Sequence, residues 1–128
     1  MLETGLYSAV APLMLLLISG LWQYPAVLEE VVKWGILKSR ANGQQLTTKQ
    51  GAVVGLIFGL SETILFTLNA WAGGQWGVIG ERLILTVPMH VITTAMIAHF
   101  MQKKMALLGI LLAMIIHGTF NYWVGTIA

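Results

Sequence analysis

The chain has 128 residues, of which 57% are hydrophobic and only 9% charged. A soluble domain carries about 25% charged residues, so this composition excludes an ordinary water-facing surface and points to lipid as the solvent. The absence of cysteine excludes a disulfide framework and thiolate chemistry, and a scattered net charge of +2 excludes a nucleic-acid partner. The length predicts one domain, 1–128.

The first apolar segment covers residues 6–22. Glu3 and no basic residue precede it, and no small-residue cleavage site follows, so it reads as a retained span rather than a signal peptide. Pro25 suits the first turn of a new helix. The second segment, 25–38, is short and interrupted by Glu29, Glu30 and Lys33. A polar stretch, 39–48, carries Asn42-Gly43 as a turn signal. The third segment covers 49–71. The Gly-rich stretch 72–80, flanked by Trp71 and Trp76, reads as a loop at a membrane interface. The fourth segment, 83–101, is joined to the fifth, 105–127, by a short hairpin at Gln102-Lys103-Lys104. Segments three to five have the roughly 20 residues that a helix needs to cross a bilayer. The expected fold is all-α: a polytopic transmembrane bundle of about five helices. Helix 6–22 is additional to a core, 25–127, whose four helices enclose a polar site within the membrane.

Basic residues set the expected orientation. Lys38, Arg40 and Lys49 flank one loop, and Lys103 and Lys104 form another. The positive-inside rule puts both loops, and with them the N-terminus, on the cytoplasmic side. Arg82 lies on the other side, next to Glu81.

Three of the five Glu lie inside apolar segments, where a charge costs about 2.5–3.5 kcal/mol even on a lenient insertion scale. The polar residues there are Glu29, Glu30, Lys33, Glu62, His90, His117 and Asn121. Glu30 is eight residues from Lys38, Glu62 thirteen from Lys49, His90 thirteen from Lys103, and His117 thirteen from Lys104. At about 1.5 Å per residue, all sit roughly 12–20 Å beyond their basic anchors. Four helices therefore bring ionisable groups to a similar depth, the pattern expected of one site. Lys33 shares a face with Glu29 and Glu30, and His117 and Asn121 are one turn apart. A proton pathway predicts groups strung along the membrane normal instead. His99 reads as an interfacial histidine, and Phe58 as packing. Gly51, Gly55 and Gly59 mark a face where another helix of the bundle approaches closely.

Glu29-Glu30-Val31-Val32-Lys33 is EExxK, Phe58 to Glu62 is FxxxE, His90 follows Pro88-Met89 with Thr94 four residues on, and His117 to Asn121 is HxxxN. This ordered set resembles the PrsW family of intramembrane proteases. That family is similar in turn to the CAAX-processing membrane endopeptidases and to the non-catalytic scaffolding subunit of gamma-secretase. The resemblance covers about residues 25 to 125. It departs at Ala98, where the family often has Gly, and at Thr63, where it commonly has Asn.

The resemblance implies an enzyme that hydrolyses peptide bonds of a membrane protein or a lipid-modified peptide, in a multi-pass protein of a prokaryotic cell membrane. A water must lose a proton and an oxyanion must be stabilised, tasks that suit carboxylates and His or Asn respectively. Glu29 is the expected base, with Glu30 and Lys33 in support. His90 and His117 polarise the carbonyl or hold the water, and Asn121 donates to the oxyanion or orients His117. Two mechanisms stay open, one metal-free and one with a Zn²⁺ held by His90, His117 and Glu62. HExxH is absent. The alternative to an enzyme is a catalytically silent membrane scaffold of the same fold, its buried network serving to hold helices together. A homo-oligomer is a further expectation, because the short chain lacks helices to shape a substrate gate.

Overall fold

The computed structural model describes residues 2–19, 25–41, 46–72 and 76–127. Side chains at 2, 16–19, 69, 70, 72, 76–79, 81, 82 and 125–127 are outside the description. The described residues form five helices and no strand: α1 (Leu2–Ser19), α2 (Pro25–Ala41), α3 (Thr48–Ala72), α4 (Trp76–Gln102) and α5 (Ala106–Ile127). Each of the five segments expected from the sequence corresponds to one of these helices over its described residues. The Tyr24 break and the Asn42-Gly43 turn lie outside the described residues.

Helix ends differ from the apolar boundaries, and the reasons are local. α4 begins at Trp76, so the expected loop 72–80 is partly helical. The apolar part of α4 is still Leu83–Gln102. Hydropathy locates the stretch that suits lipid, whereas Glu81 and Arg82 are adequate helix formers, so the same helix continues beyond that stretch. α3 starts at a capping box. Thr47 Oγ1 accepts from the Gln50 N–H (3.2 Å), and Gln50 Oε1 accepts from the Thr47 N–H (2.8 Å). α4 ends in a Schellman motif. Lys104 has a left-handed φ of 59°, the Met105 N–H donates to the Phe100 carbonyl (2.9 Å), and the Lys104 N–H donates to the Met101 carbonyl (3.0 Å). That motif makes the expected hairpin. Gln102 ties it to the start of α3 by donating to Thr48 Oγ1 (3.1 Å).

Among the described residues, three helices are long and apolar enough to cross a membrane, over Thr48–Leu68, Leu83–Gln102 and Ala106–Val124. Their outer faces carry exposed Ile64, Leu68, Ile84, Ile92, Leu107 and Ile115. So much outward apolar surface is rare on a soluble monomer and is consistent with a bilayer environment. α1 and α2 are not among the three.

α3 and α4 pack closest. A Cβ on Gly51 would meet Ala98 Cβ at 2.5 Å and the Thr94 carbonyl at 2.9 Å. A Cβ on Gly55 would run into the His90 carbonyl, and one on Gly59 would sit 3.1 Å from the His90 ring. The glycine face read from the sequence is therefore filled by α4 of the same chain. Small residues let membrane helices approach this closely, and the approach presses the His90 backbone against α3. A buried apolar core of Ile36, Leu37, Leu46, Val54, Ile97, Ala98, Ile110 and Ala113 draws on α2 to α5 toward the basic loops. α1 packs on α2 and α3, with Thr4, Ser8 and Leu15 buried.

Candidate functional site

One turn along α2 from the apolar core, the charged residues converge. Glu30 and Lys33 are i, i+3 on α2 and have no exposed surface. Lys33 Nζ donates to Glu30 Oε1 at 2.6 Å. The same nitrogen lies 2.6 Å from His90 Nδ1 of α4. Lysine has only donors, so Nδ1 is the acceptor and the neutral ring carries its proton on Nε2. Nε2 contacts Glu62 Oε2 of α3, the partner that such a proton needs. Phe58, one turn before Glu62, lies under Lys33 with the ammonium 4.8 Å from its ring centre. Its ring is also 5.3 Å from that of His90.

His117 of α5 has the opposite tautomer. Its Nδ1 is 2.7 Å from Glu30 Oε1, so Nδ1–H donates to the carboxylate. Nε2 then turns toward Glu29 Oε2, 3.6 Å away. The His90 and His117 rings stand edge to face at 5.1 Å. A charge this deeply buried is tolerated only when paired and hydrogen-bonded. Glu30 meets that condition by accepting from both Lys33 and His117. Among the described residues, three buried side-chain oxygens have no hydrogen-bond partner: Glu29 Oε2, Glu30 Oε2 and Thr94 Oγ1. Carboxylate oxygens of this kind are costly unless a further donor joins them.

Exposure is graded across the cluster. Side chains of Glu30, Lys33 and His90 are 0% exposed, Glu29 14% and Glu62 28%. The two partly open carboxylates mark its accessible edge, and the apolar core closes the side toward the basic loops.

Six of the seven residues singled out in the sequence are thus brought together: Glu29, Glu30, Lys33, Glu62, His90 and His117. Asn121 is not, since it is exposed on α5 and the residue that orients His117 is Glu30. Phe58 was read as packing, yet it also seats Lys33 and His90. Its i, i+4 spacing to Glu62 was the available signal. Thr63, at the position where the resemblance expects Asn, donates back to the Gly59 carbonyl (2.8 Å) rather than into the cluster. His99 is exposed near the end of α4, as expected.

For a cation, the group whose donor atoms all lie within 4.8 Å of one another is Glu29, His90 and His117. Glu29 takes the place that the sequence suggested for Glu62. His117 suits a metal, because its Nε2 lone pair is free and its Nδ1–H is held by a carboxylate. His90 does not, because Nδ1 accepts from Lys33 and the proton on Nε2 faces Glu62. The residues as arranged present only part of a ligand set.

No family model, curated protein or solved structure matches the chain.

Proposed function

We propose that this cluster hydrolyses peptide bonds of a membrane protein or lipid-modified peptide, in the manner of the PrsW-like intramembrane proteases that its motifs resemble. The observation that supports this most is the difference between the paired carboxylates. Glu30 Oε1 accepts from both Lys33 and His117, whereas Glu29 accepts from neither and its buried Oε2 lies 3.6 Å from His117 Nε2. Two such acceptors facing each other repel, and a water donating to both relieves the repulsion.

In this reading the water oxygen attacks the scissile carbonyl while Glu29 Oε2 takes its proton. The Nε2–H of His90 turns from Glu62 to the developing oxyanion, an interaction that strengthens as charge appears. Glu29 then returns the proton to the amine as the C–N bond breaks, leaving a carboxylic acid and an amine. Substrate enters at the edge marked by Glu29 and Glu62. An extended peptide fits better than a helix, whose carbonyls are occupied by its own hydrogen bonds. The four motif-bearing helices enclose the site within a bacterial-type membrane, with the N-terminus and both basic loops cytoplasmic.

The test is cleavage of candidate membrane peptides by purified protein in detergent. Glu29→Gln is expected to lose about 10²–10⁴-fold in rate while remaining folded, since Glu29 Oε2 has no hydrogen-bond partner among the described residues. Equal cleavage by the two proteins sinks the assignment. A silent scaffold draws support from the buried Glu30–Lys33–His117 network, which joins α2 to α5. That reading predicts no cleavage by wild type under any condition, and Glu29→Gln indistinguishable from it in every assay.

A further inference from the structure

Glu29, His90 and His117 gather donor atoms around one point, somewhat wider than a bound zinc-type ion holds them. Ligands about 2.0 Å from a tetrahedral ion stand about 3.3 Å apart, and the donor atoms of this group lie within 4.8 Å of one another. Two of the three are chemically ready. Glu29 offers an unpartnered buried oxygen. His117 offers Nε2, with Nδ1–H on Glu30 at 2.7 Å, the carboxylate–histidine arrangement that supports bound metals.

His90 is the exception, and one contact makes it so. To ligate through Nε2, its ring must carry the proton on Nδ1. Nδ1 faces Lys33 Nζ at 2.6 Å, so an N–H would point at an ammonium that can only donate. Lys33 cannot withdraw easily. It is buried, paired with Glu30 at 2.6 Å, and seated on Phe58.

We propose that Lys33 is a positioning residue that holds His90 in its Nε2–H form and thereby keeps a transition-metal ion out of a group otherwise spaced to take one. The same hydrogen bond prepares His90 as a donor. One side chain therefore selects between two states of His90: an Nε2–H donor or a cation ligand. The inference concerns what the cluster binds, stands apart from the peptidase reading, and is tested without measuring hydrolysis.

Two substitutions remove the obstacle differently. Lys33→Gln offers an amide oxygen to a His90 Nδ1–H and an amide N–H to Glu30. Lys33→Met removes the opposing donor altogether. Lys33→Arg keeps a donor-only cation and serves as the conservative control. Each full-length protein is purified in detergent without metal and titrated with Co²⁺, whose visible bands report tetrahedral nitrogen and oxygen ligation. Wild type and Lys33→Arg are expected to give no such bands. Lys33→Gln and Lys33→Met are expected to bind one Co²⁺ about 10–100-fold more tightly than wild type, the range by which residues supporting a metal ligand act. Adding His90→Ala to either should remove the gain. A general electrostatic gain from losing a positive charge would survive His90→Ala, and that result overturns the proposal. So does a wild-type protein that binds Co²⁺ as tightly as Lys33→Gln. If the substituted proteins do not fold, ¹⁵N spectra of the wild-type histidines still decide. His90 protonated on Nε2 and His117 on Nδ1 sustain the inference, and His90 protonated on Nδ1 overturns it.

Discussion

The carbonyl of His90 sits directly against Gly55, so the residue at the centre of the charged cluster is placed by a glycine of the neighbouring helix α3, two turns before Glu62. Sequence spacing and tertiary contact meet at this point. α3 can approach α4 only where it has no side chains, and that approach delivers His90 to Glu62 and Phe58.

Gly55→Leu should therefore part the two helices. Overpacking a tight contact costs about 1–3 kcal/mol, and here the obstacle is backbone that cannot rotate away. The expected result is a lower unfolding midpoint in detergent and loss of any His90-dependent signal. Gly35 on α2 has nothing within 4 Å of an added Cβ. Gly35→Ala should leave stability unchanged or raise it by about 0.5–1 kcal/mol through better helix propensity. Thermal or denaturant unfolding of the pair separates the two cases.

Glu30 and Lys33 should behave as a structural pair. Removing one partner of a buried ion pair strands the other charge and costs about 3–5 kcal/mol. Glu30→Gln alone should destabilise by that order, because the Lys33 ammonium then faces a neutral amide. Glu30→Gln with Lys33→Met should recover part of the loss. A double-mutant cycle on unfolding free energies measures the coupling, and simple additivity would contradict the 2.6 Å contact.

Asn121 gives a prediction against the motif pattern. It is exposed on α5, and His117 is already oriented by Glu30. Asn121→Ala should change peptide cleavage by less than about tenfold, short of the 10²–10⁴-fold expected when a proton-transferring group is lost. His117→Ala should cost at least about 10²-fold. Cleavage rates of the two proteins, compared at equal folded fraction, check both statements.

The chain has no cysteine, which makes its orientation easy to probe. Single cysteines at Lys104 and at Gly80 lie at opposite ends of α4. If α4 crosses the membrane with its basic end inward, Lys104→Cys is labelled by an impermeant maleimide only after the membrane is opened. Gly80→Cys is labelled in intact cells. Labelling of both from one side would rule out a spanning α4.

Much of this arrangement was legible in the sequence because lipid imposes few alternatives. Apolar runs of about 20 residues must be helical to satisfy their own backbone, and all three such runs are helices. The cost of isolated charge in that setting made convergence of Glu29, Glu30, Lys33, Glu62, His90 and His117 the expectation, and side-chain contacts join these six residues. The start of α4 at Trp76 was not legible, because hydropathy reports affinity for lipid and is silent on helix beyond it.

Composition and spacing by themselves determined which residues belong together: the helices, the glycine face of α3 and the ionisable groups at a common level. Only the tertiary structure decided who pairs with whom. Helical periodicity says that Asn121 is one turn from His117, yet it cannot say that Glu30 on another helix fills that role. It shows Glu29 and Glu30 as neighbours, yet neighbours on a helix point about 100° apart. One therefore enters the Lys33–His117 network while the other lies beside it, 3.6 Å from His117. Directional hydrogen bonds depend on ångström-scale positions across helices, and those positions come from close packing rather than from order along the chain.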